Sequence, residues 1–330
     1  MTQSQTRRMR VVSGIQPTGG LHLGNLLGAI LRWVRMQDEA QCLYFLADLH
    51  ALTVEVPPQE LRSNLRNMAA ALIASGIEPE RSIIFAQSAV PAHAELCWIL
   101  NGTARMGWLN RMTQWKDKAG KNKEGASVAL FDYPVLQAAD ILLYKPHFVP
   151  VGKDQLPHLE LTREVARRFN DLYKQPVFPE PKEHLTKFPK VPGTDGRKMS
   201  KSYGNTINLS DSEPVVRQKL KTMVTDPARV RRMDPGNPDL CPVFDFHKMF
   251  SPLPIIEQIN RECRTAEIGC IDCKKLVADR VVDTLAPILE ARAALVSNPS
   301  QIEEIVEEGS RKAGAVAKAT LHEATGAMMI

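Results

Sequence analysis

Short apolar runs alternate with amphipathic stretches through about the first 170 residues. Three of these runs predict buried strands, at 10–13, 42–47 and 82–86. From His22 onward the apolar residues recur at helical spacing, and the stretch 58–75 predicts a helix that ends before Gly76. Strands that alternate with helices of this length predict a parallel sheet with helices on its faces.

The pattern changes in the second half of the chain. Residues 169–208 hold many Pro, Gly and Lys residues and show little periodicity. Beyond Ser212 the apolar residues follow helical spacing in two stripes, at 277–289 and 302–317. We therefore predict the α/β fold class, with a sheet-containing domain over residues 1–205 and a helical domain over residues 206–330.

Composition narrows the class of protein. Hydrophobic residues make up 44% of the 330 residues and charged residues 24%, which is typical of a globular protein and excludes wholesale disorder. The longest uncharged run, 11–31, contains five glycines, so it predicts no membrane span. Because no secretory signal pattern opens the sequence, we expect a cytoplasmic protein without a membrane partner.

A glycine-rich motif joins the first predicted strand to the helix that follows. Residues 13–25 read Ser-Gly-Ile-Gln-Pro-Thr-Gly-Gly-Leu-His-Leu-Gly-Asn. Free N–H groups at the start of that helix suit a phosphate. The motif is neither a dinucleotide-binding fingerprint nor a P-loop, and by itself it is also compatible with a plain turn between strand and helix.

A basic motif lies far downstream, at 195–205. Its lysines, Lys198 and Lys201, stand three residues apart among small hydroxyl residues in a glycine-bounded loop. Two such ammonium groups can close on a phosphate as mobile point charges. Alone, this pattern is also typical of a solvated basic loop.

The two motifs together carry a resemblance. The segment His-Leu-Gly-Asn at 22–25 resembles the HIGH box of class I aminoacyl-tRNA synthetases, and residues 198–202 read Lys-Met-Ser-Lys-Ser, their second signature, without a substitution. Within that class the chain is similar over nearly its whole length to the bacterial tryptophanyl enzymes. Further segments that carry this similarity lie at 48–53, 112–118, 133–140 and 149–155.

The resemblance implies an architecture and a reaction. It implies a Rossmann-like catalytic domain, a helical anticodon-binding domain and an obligate homodimer. The expected partners are L-tryptophan, ATP and tRNA(Trp). The expected chemistry is formation of tryptophanyl-adenylate followed by transfer to the tRNA, driven by positioning and by charge stabilisation of pyrophosphate.

The resemblance also assigns the amino-acid site. Asp140 would accept a hydrogen bond from the indole N–H and so reject rings that lack this donor. Tyr133 and Gln155 would hold the α-ammonium group. The remaining residues expected around the substrate are Val12, Gln16, His50, Gln137, Val149 and Val151.

A second set of residues is assigned to ATP, which would bring Mg²⁺ with it. The residues expected to contact ATP are Gln16, Thr18, Gly24, Asn25, Gly152, Asp154, Lys198, Met199, Ser200, Lys201 and Ser202. Lys198, Lys201 and Lys118 would stabilise the charge that develops in the transition state. A basic stretch at 196–232 is expected to meet tRNA phosphates.

Two other functions are compatible with parts of this pattern. Tyr133, Gln137 and Asp140 are spaced as in tyrosyl enzymes too, although residues 13–17 and 149–155 favour tryptophan. A non-catalytic RNA-binding paralogue would keep the fold with degenerate motifs, whereas here both motifs are intact.

Four cysteines form a further candidate site, at Cys241, Cys263, Cys270 and Cys273. In a reducing compartment, clustered thiols favour a metal site over disulfides, and their spacing is compatible with zinc or an iron–sulfur cluster. The segment 263–274 resembles a subset of bacterial tryptophanyl enzymes that hold a [4Fe-4S] cluster. The resemblance therefore implies the cluster, with structural Zn²⁺ as the alternative.

Overall fold

The computed structural model describes residues 9–113, 115–116, 124–185 and 190–330. The chain divides into two compact units, each assembled from separate stretches. Of these described residues, those at 9–19, 33–185 and 298–330 form the sheet unit, and those at 20–32 and 190–297 form the helical unit.

Five parallel strands form the sheet, in the order β3-β2-β1-β4-β5. They are β1 (Arg10–Ile15), β2 (Gln41–Leu46), β3 (Ser82–Ala86), β4 (Phe148–Val151) and β5 (Lys182–Leu185). From β1 the chain first adds β2 and β3 on one side of the sheet and then adds β4 and β5 on the other side, so β1 pairs with both β2 and β4. In open α/β sheets, ligands bind outside the carboxyl ends of the strands at such a switch point.

Helices account for most of the remaining described residues. In chain order they are α1 (Leu23–Asn25), α2 (Leu31–Met36), α3 (Asp48–Ala51), α4 (Pro58–Ala74), α5 (Ala92–Asn101), α6 (Met106–Leu109), α7 (Val128–Leu142), α8 (Leu156–Tyr173), α9 (Glu213–Thr222), α10 (Pro242–Phe250), α11 (Leu253–Arg264), α12 (Cys270–Ser297) and α13 (Pro299–Met328). A π-helical turn, Leu26–Ile30, joins α1 to α2.

The core of the sheet unit packs the strands against α5, α7, α8 and α13. The last helix, α13, reaches β3 closely at Gly309, where an added Cβ would lie 1.8 Å from the carbonyl oxygen of Ile84. The helical unit has a smaller core, in which Phe244, Ile259 and Ile268 are buried together.

The structure confirms the predicted fold class. The three predicted strands are β1, β2 and β3, and the predicted helix at 58–75 is α4, which Gly76 follows at φ +104°. No helix in the described part of the chain is long and apolar enough to cross a membrane.

Candidate active site

Asp140 is fully buried on α7 of the sheet unit, and three side chains donate hydrogen bonds to it. His50 Nε2 lies 2.7 Å from Oδ2, while Gln87 Nε2 and His93 Nδ1 lie 2.7 and 2.6 Å from Oδ1. A buried carboxylate is costly unless it is hydrogen-bonded in this way.

The sheet topology brings these donors to Asp140. His50 lies on α3 just beyond β2, Gln87 follows β3 directly, and His93 lies in the first turn of α5. Neither Gln87 nor His93 was predicted from the sequence. Polar residues just beyond the carboxyl end of a strand were the available signal, because such ends share one edge of a parallel sheet.

Asp140 is held in its ionised form. Burial acts to raise the pKa of this carboxyl, but the charge and hydrogen bond of His50 and the hydrogen bond of His93 outweigh it and lower the pKa to about 2. The sheet unit therefore contains a fixed, buried acceptor of hydrogen bonds.

Tyr133 lies two helical turns before Asp140 on α7, with its ring edge-on to that of His50. Its hydroxyl lies 2.5 Å from Nε2 of the buried His158. Burial raises the pKa of Tyr133 and lowers the pKa of His158, so the hydroxyl donates and the imidazole accepts. The oxygen of Tyr133 keeps its lone pairs for another donor.

The other predicted residues of the sheet unit lie at the ends of β1 and β4. Gln16 donates to the carbonyl oxygen of His50 over 3.1 Å. Gln155 donates to Asp154 over 3.1 Å, and a Cβ at residue 152 would lie 2.6 Å from the Asp154 carboxylate, which explains the glycine there. Three valines border this region, Val12 and Val149 buried and Val151 half-buried.

The first signature motif lies in the helical unit. His22 caps α1, and its backbone N–H donates to the side chain of Asn25 over 3.1 Å. The motif is joined to the segment that follows the second signature, because Leu23 N donates to the carbonyl oxygen of Ile207 over 2.9 Å. At Gly24 an added Cβ would lie 2.9 Å from the His22 ring and 3.7 Å from Cβ of Met199, so the two motifs are neighbours.

Asn205 braces the loop of the second signature. Its amide donates to Asp195 over 2.6 Å and to the Lys198 carbonyl over 3.2 Å, and its oxygen accepts from Ser200 N over 2.8 Å. Sequence reasoning gave Asn205 no such role. Only the folded loop shows that these three groups meet.

The electrostatics of the paired motifs favour an anion. Burial and, to a lesser extent, the charge of Lys201 lower the pKa of His22 to about 4, so the imidazole is neutral at pH 7. Burial also lowers the pKa of Lys201. Leu23 N and Asn25 N already donate to carbonyl oxygens, so the group that suits a phosphate here is the partly desolvated ammonium of Lys201.

Comparison with known proteins identifies this arrangement. The family model described as tRNA synthetases class I (W and Y) matches residues 3–286. A tryptophan–tRNA ligase of Thermotoga maritima is 48% identical over 328 residues, covering 97% of this chain and 99% of that protein. The corresponding enzyme of Aquifex aeolicus is 39% identical over 393 residues, covering 97% and 99%.

A solved structure agrees with these relatives. Tryptophanyl-tRNA synthetase of Campylobacter jejuni, complexed with ADP and tryptophan, superimposes with a TM-score of 0.89 at 34% identity, over 98% of this chain and 100% of that one. The chain belongs to the bacterial tryptophanyl-tRNA synthetases of class I. The predicted family is therefore confirmed.

The synthetase also brings its four clustered cysteines together in the helical unit. Cys241 precedes α10, Cys263 lies near the end of α11, and Cys270 and Cys273 begin α12. Burial and, to a lesser extent, interaction with the other three thiols raise the pKa of Cys273 to about 12. Among the described residues, no group of three His, Cys, Asp or Glu side chains is arranged to hold a metal ion.

The predicted basic stretch of the synthetase is partly neutralised by its own carboxylates. Arg197 pairs with Asp195, Lys219 with Asp211, and Arg217 with both Glu213 and Asp279. The pairs of Arg217 are exposed and therefore weak, whereas the Lys219–Asp211 pair is partly buried. The predicted Lys118 lies outside the described residues.

Proposed function

We propose that this chain joins L-tryptophan to tRNA(Trp) in two steps driven by ATP. The observation that carries the proposal is the ionised, fully buried Asp140, two helical turns after Tyr133 on α7, in a chain with both class I signatures intact. An indole is an apolar ring with one N–H donor, and a buried fixed acceptor matches it. The charged tRNA serves translation, so we assign the protein to the cytoplasm.

The geometry of the sheet unit supports the proposed amino-acid contacts. Asp140 accepts the indole N–H, and the valines at 12, 149 and 151 border the ring. The Tyr133 oxygen and the Gln155 amide oxygen accept hydrogen bonds from the α-ammonium group. His50, Gln16 and Gln137 complete the surroundings, with His50 and Gln16 linked to each other.

Contacts with ATP are assigned in each unit separately. In the sheet unit they come from Gln16, Thr18, Gly152 and Asp154. In the helical unit they come from Gly24 and Asn25 at the start of α1 and from the loop residues Lys198, Met199, Ser200, Lys201 and Ser202. Mg²⁺ enters with ATP and is held largely by phosphates and water. Lys118 keeps its predicted role at the phosphates.

The chemistry balances without a covalent bond between the enzyme and the substrate. A tryptophan carboxylate oxygen attacks the α-phosphorus, the bond to the bridging oxygen of the β-phosphate breaks, and pyrophosphate leaves with the electron pair. A terminal ribose hydroxyl of the tRNA then attacks the carbonyl carbon of the adenylate and AMP leaves. Lys198 and Lys201 stabilise the charge that develops on pyrophosphate.

Pyrophosphate exchange tests this proposal. Purified protein should exchange labelled pyrophosphate into ATP when tryptophan is present and not when tyrosine is present. Asp140→Asn, which keeps the shape of the side chain, should lose most of the exchange. Exchange with tyrosine at a comparable rate would show a tyrosyl enzyme, and the absence of exchange with either amino acid would show a non-catalytic protein.

We further propose that the four cysteines hold a [4Fe-4S] cluster in the helical unit. Cys241, Cys263 and Cys273 all pack against the small core of the helical unit, which supports one common site. The resemblance of the segment 263–274 favours the cluster over zinc, which stays the alternative. When bound, the cluster would cross-link the segments before α10, at the end of α11 and at the start of α12.

The cofactor is tested by its colour and composition. Protein purified without oxygen should be brown with about four irons per chain. Cys270→Ser should bleach it and lower the melting temperature, and Cys97→Ser, a buried thiol of the sheet unit, is the matched control. Colourless protein with one zinc per chain would contradict the cluster and leave the synthetase function intact.

We also propose that the chain acts as a homodimer. Three large apolar side chains are exposed on helices that pack together in the sheet unit: Trp98 (80%) on α5, Met106 (67%) on α6 and Val128 (81%) at the start of α7. Exposed apolar groups of this size favour a protein interface. Sedimentation should give a dimer, and Trp98→Glu should shift it to monomer. A monomeric wild type would contradict the proposal.

A further inference from the structure

His93 connects Asp140 to a residue deeper in the core. Its Nδ1 lies 2.6 Å from Oδ1 of Asp140, and its Nε2 lies 2.8 Å from the hydroxyl oxygen of Tyr144. The three side chains are thus linked by two hydrogen bonds. All three side chains have zero exposure. None of the substrate contacts proposed above involves His93 or Tyr144.

The hydrogen positions in this chain follow from the partners. An ionised carboxylate only accepts hydrogen bonds, so Nδ1 of His93 donates to Asp140. Burial raises the pKa of Tyr144, so its hydroxyl keeps the proton and can donate to Nε2. Tyr144 thereby favours the tautomer that has its hydrogen on Nδ1.

The orientation of the Gln87 amide group is also fixed by its partners. Its Oε1 accepts from the backbone N–H of Leu49 over 3.1 Å, which leaves its Nε2 to donate to Asp140. His93 and Gln87 therefore occupy Oδ1, and His50 occupies one side of Oδ2. A carboxylate has about four lone-pair sites, so one acceptor site remains, and it belongs to Oδ2.

We propose that His93 is a positioning residue for indole recognition, which orients Asp140 so that its one remaining acceptor site is available to a ring N–H. This inference rests on the proposed tryptophan function and adds to it the reason for the selectivity. Without His93, the Asp140 carboxyl can rotate or take up a proton. A protonated carboxyl would donate as well as accept, so a ring without N–H would no longer leave a buried charge unpaired.

The test compares tryptophan with an isostere that lacks the donor, β-(3-benzothienyl)-L-alanine, in which sulfur replaces N–H. In pyrophosphate exchange the wild type should prefer tryptophan by about 100-fold or more in kcat/KM. His93→Leu should reduce that preference by at least about 10-fold, with a raised KM for tryptophan and an unchanged KM for ATP. His93→Asn, whose amide can donate near the position of Nδ1, should restore most of it.

Phe85→Leu is the matched control. The Phe85 ring packs 5.9 Å from that of His93 and 5.6 Å from that of Tyr144, and it makes no hydrogen bond to Asp140. This variant should lower the melting temperature and keep the preference for tryptophan. If Phe85→Leu and His93→Leu lose the preference for tryptophan equally, then His93 acts only through packing and the inference is overturned.

The other outcomes are equally distinct. An unchanged preference in folded His93→Leu would overturn the inference while wild-type exchange with tryptophan still stands. If His93→Leu does not fold, Tyr144→Phe decides, because it should reduce the preference by about threefold and an unchanged preference would contradict the assignment. A wild type that activates no tryptophan would instead refute the proposed function itself.

Discussion

The hydroxyl group of Tyr133 donates to Nε2 of His158 over 2.5 Å, between helices α7 and α8. Both side chains are buried, and the lowered pKa of His158 keeps the imidazole able to accept. The hydroxyl oxygen is thereby turned into an acceptor for a third group. In the proposed function that group is the α-ammonium of tryptophan.

This relationship predicts a coupled effect on substrate binding. Tyr133→Phe and His158→Leu should each raise the KM for tryptophan about 10-fold and leave the KM for ATP unchanged, since each removes one member of the same pair. The double variant should raise the KM for tryptophan by less than the product of the two single effects, with a coupling energy of about 1 kcal/mol between the two residues. Additive effects in this cycle would show that the two residues act independently.

The role proposed for Lys201 in the second signature predicts that its substitution lowers the rate of adenylate formation and leaves tryptophan binding unchanged. Lys201→Ala should lower the exchange rate about 100- to 1,000-fold, because the ammonium group acts on charge that develops in the transition state. Tryptophan affinity, measured by fluorescence titration, should stay the same. A variant that lost tryptophan affinity and kept its rate constant would refute the assigned role. Lys219→Ala, whose ammonium pairs with Asp211, is the control.

The contact of α13 with β3 predicts that replacing a glycine by alanine has very different effects on stability at two positions of α13. Gly309→Ala should lower the free energy of unfolding by about 3 kcal/mol, because its Cβ would meet the Ile84 carbonyl at 1.8 Å. Gly314→Ala meets no atom within 4 Å and should be neutral or stabilising by up to about 1 kcal/mol. Chemical denaturation measures both, and equal values would contradict the packing of α13.

The ionisation of Asp140 predicts how stability depends on pH. Its pKa is lowered from 3.8 to about 2 in the folded chain. The folded state therefore gains about 2 kcal/mol above pH 4, and this contribution is lost as the pH falls from about 4 to about 2. The free energy of unfolding should fall more steeply in that window for the wild type than for Asp140→Asn. Parallel profiles would show that Asp140 is not the group responsible.

Local features of the sequence were sufficient for the fold class and for both signatures. The alternation of apolar runs and helical stripes predicted β1 to β3 and α4, since each periodicity depends only on neighbouring residues. The two signatures at 22–25 and 198–202 could also be recognised from the sequence, because each consists of a few consecutive residues. The family and its reaction followed from those segments.

Only the tertiary structure decided which groups act together. The donors to Asp140 lie 90, 53 and 47 residues away along the chain, and the sheet topology alone brings His50, Gln87 and His93 to one carboxylate. The helix α13 likewise belongs to the sheet unit although it follows the helical unit in sequence. A periodic pattern shows that a face will be buried, but it contains no information about the partner. That partner is chosen by the global packing of the chain, where strand order and close approaches such as Gly309 on Ile84 are set.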